Sequence, residues 1–265
     1  MIKRQIIKII NFIKVFGIKK TITLVKYILF PKKSAIYKAF KNNSRLFEWN
    51  GLEIWWPSPL FWSKWEFPIY GYAKNIDWCN FSQHTVWEWD ISHKKYIWKW
   101  KELGKQYICE AEKTNEHIPN KTYDFIISSN CLEHIANPLQ AVENRLKILK
   151  ESWILLIIVP NKQYNFDHKR KDTTFEHILR DYKEHTDEKD LFHLDEILTN
   201  HDIRIDAGVQ NFDDFKKRSM KNIENRCLHH HVFSTKTMKD IFDFLSITTI
   251  IIFSTPTNIV TIGKK

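Results

Sequence analysis

Six consecutive aliphatic residues, Ile154-Leu155-Leu156-Ile157-Ile158-Val159, constrain the fold more than any other segment. A strand with one face in water alternates apolar and polar residues. An unbroken run predicts a strand buried on both faces, as in the centre of a parallel sheet covered by helices. The rest of the chain after residue 45 agrees. Residues 51–54, 73–77, 106–110 and 123–128 read as short strands. Residues 138–150 read as a helix with Leu139, Val142, Leu146 and Leu149 on one face. Residues 235–245 read as a helix, and 248–253 and 258–262 as two closing strands. Strands alternating with helices predict an α/β fold. The polar stretch 160–232 is too long for an ordinary connection and predicts an inserted lid or substrate segment. The domain therefore spans 46–265, preceded by an extension, 1–45.

That extension carries the charge. The chain's formal net charge is +10, yet residues 1–41 hold eleven Lys or Arg and no acid, so the remainder is close to neutral. Ile2, Ile6, Ile9, Ile10, Ile13 and Phe16 recur at helical spacing, with Arg4, Lys8 and Asn11 opposite and Ile7 and Val15 interrupting. A basic amphipathic helix of this kind can lie on an anionic membrane surface. It can equally cap the domain and leave its lysines in water. Lys8 and Lys14 break the apolar stretch, which argues against a signal peptide, and no run reaches the ~18 apolar residues of a membrane-spanning helix. Cys79, Cys109, Cys131 and Cys227 form no CxxC pair. This argues against a zinc ribbon or a disulfide scaffold and for reduced thiols in a cytoplasmic protein, peripheral at most to the inner membrane face. The arm lacks the aromatic interleaving of a nucleic-acid platform, which argues against such a partner. No GxSxG, HExxH or Walker loop is present.

The segment YDFIISSNCLEHIANPLQAVENRLKILKESWILLIIVPN, residues 123–161, resembles the second half of class I S-adenosylmethionine-dependent methyltransferases. LEIWWPS at 52–58 resembles the first cofactor motif of one branch, whose form is Leu-Glu-Ile-Gly-Gly-Pro-Ser. NFDHKR (165–170), TTFEHIL (173–179) and NRCLHHHVF (225–233) are similar to that branch too. The resemblance covers about 46–265 and implies a Rossmann-like class I methyltransferase sheet with a helical insertion and the N-terminal basic amphipathic helix outside it. In such a sheet the ligand lies beyond the carboxyl ends of the strands, at the switch in strand order. The implied cofactor residues are Glu53, Ile54, Trp55, Trp56, Pro57 and Ser58 in the first turn. Asp77 at the end of the second strand would bind the ribose, Glu110 and Ala111 would flank the adenine, and Asn130 would lie near the sulfonium. Carboxylates suit a ligand that carries an ammonium and a sulfonium.

Eleven tryptophans and six glycines are an unusual pair of counts, since average usage predicts roughly 19 glycines. Trp55 and Trp56 replace the two glycines of the first motif, and Trp153 stands at a helix-to-strand corner that favours glycine. Trp65, Trp78 and Trp89 also fall where the resembling sequences favour small turn residues. Trp49, Trp98 and Trp100 lie in polar, turn-like surroundings, while Trp62 and Trp87 fit the family. Some genetic codes read UGA as glycine and others as tryptophan. A gene of the first kind read with the second code would carry this pattern, and so would a protein whose cofactor pocket has been filled by indoles.

The histidines leave three readings open. His168, oriented by Asp167, with His230 of the triplet His229-His230-His231, could form a general base for the acceptor. His168, one triplet histidine and an acid could hold a metal. The triplet could also serve packing and surface alone. The reading that follows is methyl transfer from S-adenosylmethionine to an oxygen or nitrogen of a small-molecule or glycan acceptor. The alternative is a catalytically dead, membrane-associated binding module on the same fold.

Overall fold

The computed structural model describes residues 2–30, 34–62, 66–85, 95–98, 101–206 and 208–264, with the side chains of 2–8 and 98 not described. Trp65, Trp87, Glu88, Trp89, Asp90 and Trp100 lie outside the described residues. In chain order the elements are α1 (Ile2–Leu29), α2 (Ala35–Asn43), β1 (Asn50–Ile54), α3 (Pro59–Trp62), β2 (Asn75–Asn80), β3 (Lys95–Trp98), β4 (Lys101–Ile108), α4 (Thr114–His117), β5 (Tyr123–Ser129), α5 (Pro138–Ile148) and β6 (Leu149–Pro160). Four helices then fill the predicted insertion: α6 (Phe175–Glu184), α7 (Leu194–Asn200), α8 (Phe212–Met220) and α9 (Asn222–Asn225). The chain closes with α10 (Thr235–Phe244), β7 (Thr248–Ser254) and β8 (Asn258–Lys264).

Eight strands form one sheet in the order β3-β4-β2-β1-β5-β6-β8-β7. The inner five, β4-β2-β1-β5-β6, are parallel, while β3, β8 and β7 pair antiparallel at the two edges. Strand order reverses between β1 and β5, and in open parallel sheets such a switch is where ligands bind, beyond the carboxyl ends of the strands. The aliphatic run is divided as its period requires. Leu155, Ile157 and Val159 join the core on one face with α5 and α10, and Ile154, Leu156 and Ile158 join the core on the other with α2. Gly51 lies under Phe125, where a Cβ would stand 2.0 Å from the ring.

Two expectations shift. The second strand was expected to end at Asp77, but β2 runs three residues further, to Asn80. Residues 73 and 74 belong to the preceding turn, where Ala73 N–H reaches Ile69 O and Lys74 N–H reaches Glu48 O. Trp78, Cys79 and Asn80 instead pair with Gln106, Tyr107 and Ile108 of β4. The left-handed residue of the α5–β6 corner is Ser152 (φ 63), not Trp153, which is already extended and buried in β6.

The N-terminal helix breaks at Gly17 (φ 80, ψ 165). One side rests on the insertion: Asn11 Nδ2 donates to Arg204 O at 2.8 Å, and the Phe16 ring lies 5.0 Å from His168. Ile9, Ile10, Ile13, Ile18, Ile22 and Ile28 remain exposed. Among the described residues no helix is long and apolar enough to cross a membrane.

Gly51→Ala should lower stability by about 1–3 kcal/mol, because added volume must push the Phe125 ring out of a filled core. Urea unfolding of both proteins checks this.

Candidate active site

At the carboxyl edge of β1 the chain turns at Trp55, whose φ is 89. Only glycine adopts such a backbone without steric cost; for a bulky residue it is an outlier. Trp55 N–H donates to Cys79 O at 2.9 Å, tying the turn to the end of β2. The buried Glu53 carboxylate holds the turn's far side, since Oε1 accepts from Ser58 N–H at 2.7 Å and Oε2 from the Tyr70 hydroxyl. Burial pushes the Glu53 carboxyl up to about 8, against those two hydrogen bonds. Ser58 Oγ accepts from Leu60 N–H and starts α3. Ile54 is buried in the core, Pro57 is buried in the turn and Trp56 is partly buried beside the core.

The indole of Trp55 fills the space that this turn opens. It is 4% exposed and stacks between Phe81, at 5.4 Å and 24°, and His134, at 5.3 Å and 15°. Trp78 Nε1 donates to Trp55 O. A cavity of about 780 Å³ lies elsewhere, around Lys121, Glu143, Lys147 and Trp153 at the start of β5 and β6.

Asp77 faces away from this edge, and its oxygens are taken. Oδ1 accepts from Lys105 N–H at 2.7 Å and Asn75 Nδ2 at 3.1 Å, and Oδ2 accepts from the Tyr123 hydroxyl at 2.6 Å. Gly104 permits this approach, since a Cβ there would meet Asp77 Oδ1 at 2.2 Å. The polar group at the end of β2 is Asn80, whose Nδ2 is buried without a hydrogen-bond partner and whose Oδ1 accepts from Phe81 N–H. Reading β2 three residues too short concealed it. Asn130 ends β5 in the left-handed region (φ 49), exposed, with its N–H on Ile158 O. Ala111 is buried in the core. Glu110 accepts from Arg226 Nη2 at 2.5 Å, and the guanidinium lies 5.3 Å from the centre of the Phe81 ring. Arg226 comes from the insertion, which thus reaches over the ends of β2 and β4.

The NFDHKR segment folds as a tight turn with Arg170 N–H on Asp167 O, which turns Asp167 and Arg170 inward and leaves His168 and Lys169 more exposed. Asp167 does not orient His168. Its Oδ2 pairs with His229 Nδ1 at 2.6 Å, whereas His168 Nε2 meets Asp202 Oδ2 at 3.2 Å beside Phe16. Burial alone would raise the Asp167 carboxyl, but the facing His229 charge, its hydrogen bond and Arg170 bring it to about 2. Burial likewise disfavours charged His229, and Asp167 reverses this and raises its pKa. Arg170, fully inside, donates to His229 O and His230 O and clamps the triplet's backbone. Spacing i, i+3 in a turn was the signal that could have singled out Arg170. His230 does not join Asp167; it contacts Asn222 Nδ2 at 3.0 Å.

His229 stands edge-on to His134 at 4.5 Å, one ring away from Trp55. Beside them Glu133 is buried with neither carboxylate oxygen hydrogen-bonded, and burial pushes its carboxyl up to about 7. Glu133, His134 and His229 place ligand atoms within 4.8 Å of one another. The expected metal set based on His168 does not assemble. A buried imidazole–carboxylate pair next to a raised carboxyl is a constellation suited to proton transfer.

A family model described as a methyltransferase domain matches residues 69–207. No curated protein matches the chain. Among solved structures, a S-adenosylmethionine dependent methyltransferase from Mesorhizobium loti is 8% identical, over 88% of this chain and 99% of that one, with a TM-score of 0.50. A SAM dependent methyltransferase from Archaeoglobus fulgidus is 13% identical, over 90% of this chain and 99% of that one, with a TM-score of 0.42.

The Asp167–His229 pair sets a pH window for stability. The depressed Asp167 pKa stabilises the fold above the ordinary 3.8, and this is lost as pH falls toward about 2. The raised His229 pKa stabilises it below 6.5, and this is lost as pH rises through the folded value. The stability difference between the parent and Asp167→Asn should therefore be greatest between about pH 4 and 6.5. Urea unfolding across pH 2–9 checks this.

Proposed function

The chain belongs to the methyltransferase-domain family, and on that premise we propose that it transfers the methyl group of S-adenosylmethionine to an oxygen or nitrogen of a small-molecule or glycan acceptor. The observation that carries this reading is the turn at Trp55: a glycine-type backbone at the carboxyl end of β1, next to the switch in strand order. There backbone can approach a ligand closely.

The backbone fits the cofactor and the Trp55 side chain does not. The indole takes the space between Phe81 and His134 that a ligand would need. Glycine at 55 restores that space and removes the strain. Of the tryptophans singled out by the first motif and the corner, only Trp55 has positive φ; Trp56 and Trp153 do not. The reading of UGA as glycine therefore rests most firmly on position 55. In the gene, Trp55, Trp56 and Trp153 should be encoded by UGA and Trp62 and Trp87 by UGG. UGG at 55 and 56 would leave a pocket filled by evolution.

The cofactor supplies an electrophilic methyl group on its sulfonium. Glu53 holds the turn in place through Ser58, and Asn80 replaces Asp77 as the strand-end group for the ribose side. Glu110 with Arg226 closes the mouth. His229, its Nδ1 fixed by Asp167, takes the acceptor's proton at Nε2. Most of the rate comes from alignment. In the form with glycine at 55, His229→Ala should lower turnover by about 10²-fold or more without weakening S-adenosylhomocysteine binding. His168→Ala should leave turnover near the parent value, and equal losses in both would contradict the assignment. The exposed isoleucines and lysines of α1 support contact with an anionic membrane surface. Vesicle binding that depends on residues 1–41 and collapses as salt rises tests that partner.

A further inference from the structure

The triplet's three rings go to three different places. His229 turns to Asp167 and His230 to Asn222, while His231 turns to His177 on α6 and to His193 just before α7. One ring nitrogen of each of these three histidines lies within 4.8 Å of those of the other two, and His177 Nε2 and His193 Nε2 are 2.8 Å apart. Asp181 follows His177 by one helical turn, which places both on one face of α6. Its Oδ2 lies 3.2 Å from His177 Nε2.

We propose that His177, Asp181, His193 and His231 form a binding site for a divalent transition metal, Zn²⁺ by its donor set, which ties the parts of the inserted segment to one another. Three imidazoles and one carboxylate match the nitrogen- and oxygen-donor sites that Zn²⁺ occupies in tetrahedral geometry. The site has donors left over. Asp181 Oδ2 is buried and receives no hydrogen bond, and its side chain is 10% exposed. His231 Nε2 is held on Ala136 O at 3.1 Å, and its Nδ1 is buried with no partner on a side chain 1% exposed. Such buried orphans are costly unless something binds them.

The surrounding shell fits as well. Metal-bound histidines pass their second ring N–H to a carboxylate or carbonyl, and here His193 Nδ1 faces Glu196 Oε2 at 3.4 Å while His231 faces Ala136 O. His177 and His193, with side chains 16% and 13% exposed, leave a path from solvent. Arg180 now donates to His177 Nδ1 at 2.6 Å. Binding through Nε2 moves the proton to Nδ1 and displaces that exposed guanidinium. The donors come from α6, the turn before α7 and the segment after α9, so one ion would tie three parts of the insertion together.

The test uses the full chain, stripped with chelator and titrated with Zn²⁺ and with Co²⁺. The expected result is one ion per chain, tetrahedral cobalt absorption and a rise in Tm on loading. His193→Ala and Asp181→Asn should each weaken binding at least tenfold and abolish the rise in Tm, while the metal-free variants keep the circular dichroism of the metal-free parent. Glu196→Ala, which retains all four donors, should weaken binding 10–100-fold, and Arg180→Ala should strengthen it. His117→Ala, exposed and distant in sequence, should change nothing. Absence of zinc and cobalt binding by the folded parent would overturn the proposal. So would unchanged affinity in both His193→Ala and Glu196→Ala.

Discussion

One backbone turn decides what the carboxyl edge of the sheet can hold. β1 ends at Ile54, and the next residue must turn with φ 89 for the chain to reach Ser58 and start α3. The Glu53 carboxylate enforces that path from below by accepting the Ser58 N–H, and Cys79 O enforces it from the side. A non-glycine residue held so costs about 1–3 kcal/mol. Stacking on Phe81 and His134 returns about 0.5–1.5 kcal/mol per aromatic pair beyond burial, so the indole can stay. Its stability is obtained at the ligand's expense: what holds the ring is also what a cofactor would touch.

The insertion is organised around buried charge. Arg170 spans Asp167 and the carbonyls of His229 and His230, and Arg226 spans Glu110 and approaches Glu188 at 3.7 Å. Buried ion pairs contribute little net stability, but removing one partner is costly because it strands the other. Such pairs therefore fix position more than they add strength. Here the position they fix is that of His229 near His134, and of Arg226 over the ends of β2 and β4.

Much of the fold was legible because it follows from periodicity. The aliphatic run in β6, the helix starting at Pro138 behind the Asn137 cap, and the closing β7–β8 pair all show in the residue pattern. Boundaries were harder. β2 could not be placed within three residues, since Trp78 read as standing at a small turn position and Asn80 is a poor strand residue, whereas β1 and β4 on either side draw Trp78 and Cys79 into the sheet and β4 holds Asn80. That slip misassigned Asp77, a residue whose three hydrogen bonds are all within the sheet. Among the candidate residues, the turn after β1 was legible as the end of a short strand. The partner of Asp167 was not, because a neighbour in sequence, His168, competes on paper with His229, 62 residues away. Only the turn at 167–170 decides which of them faces inward.

The central claim is that the carboxyl edge of β1 is a cofactor site closed by one side chain. Calorimetric titration with S-adenosylhomocysteine of the chain as written and of Trp55→Gly tests it most directly. The account predicts no measurable binding by the first and saturable one-to-one binding by the second. Binding of equal strength by both, or by neither with the fold intact, would contradict it.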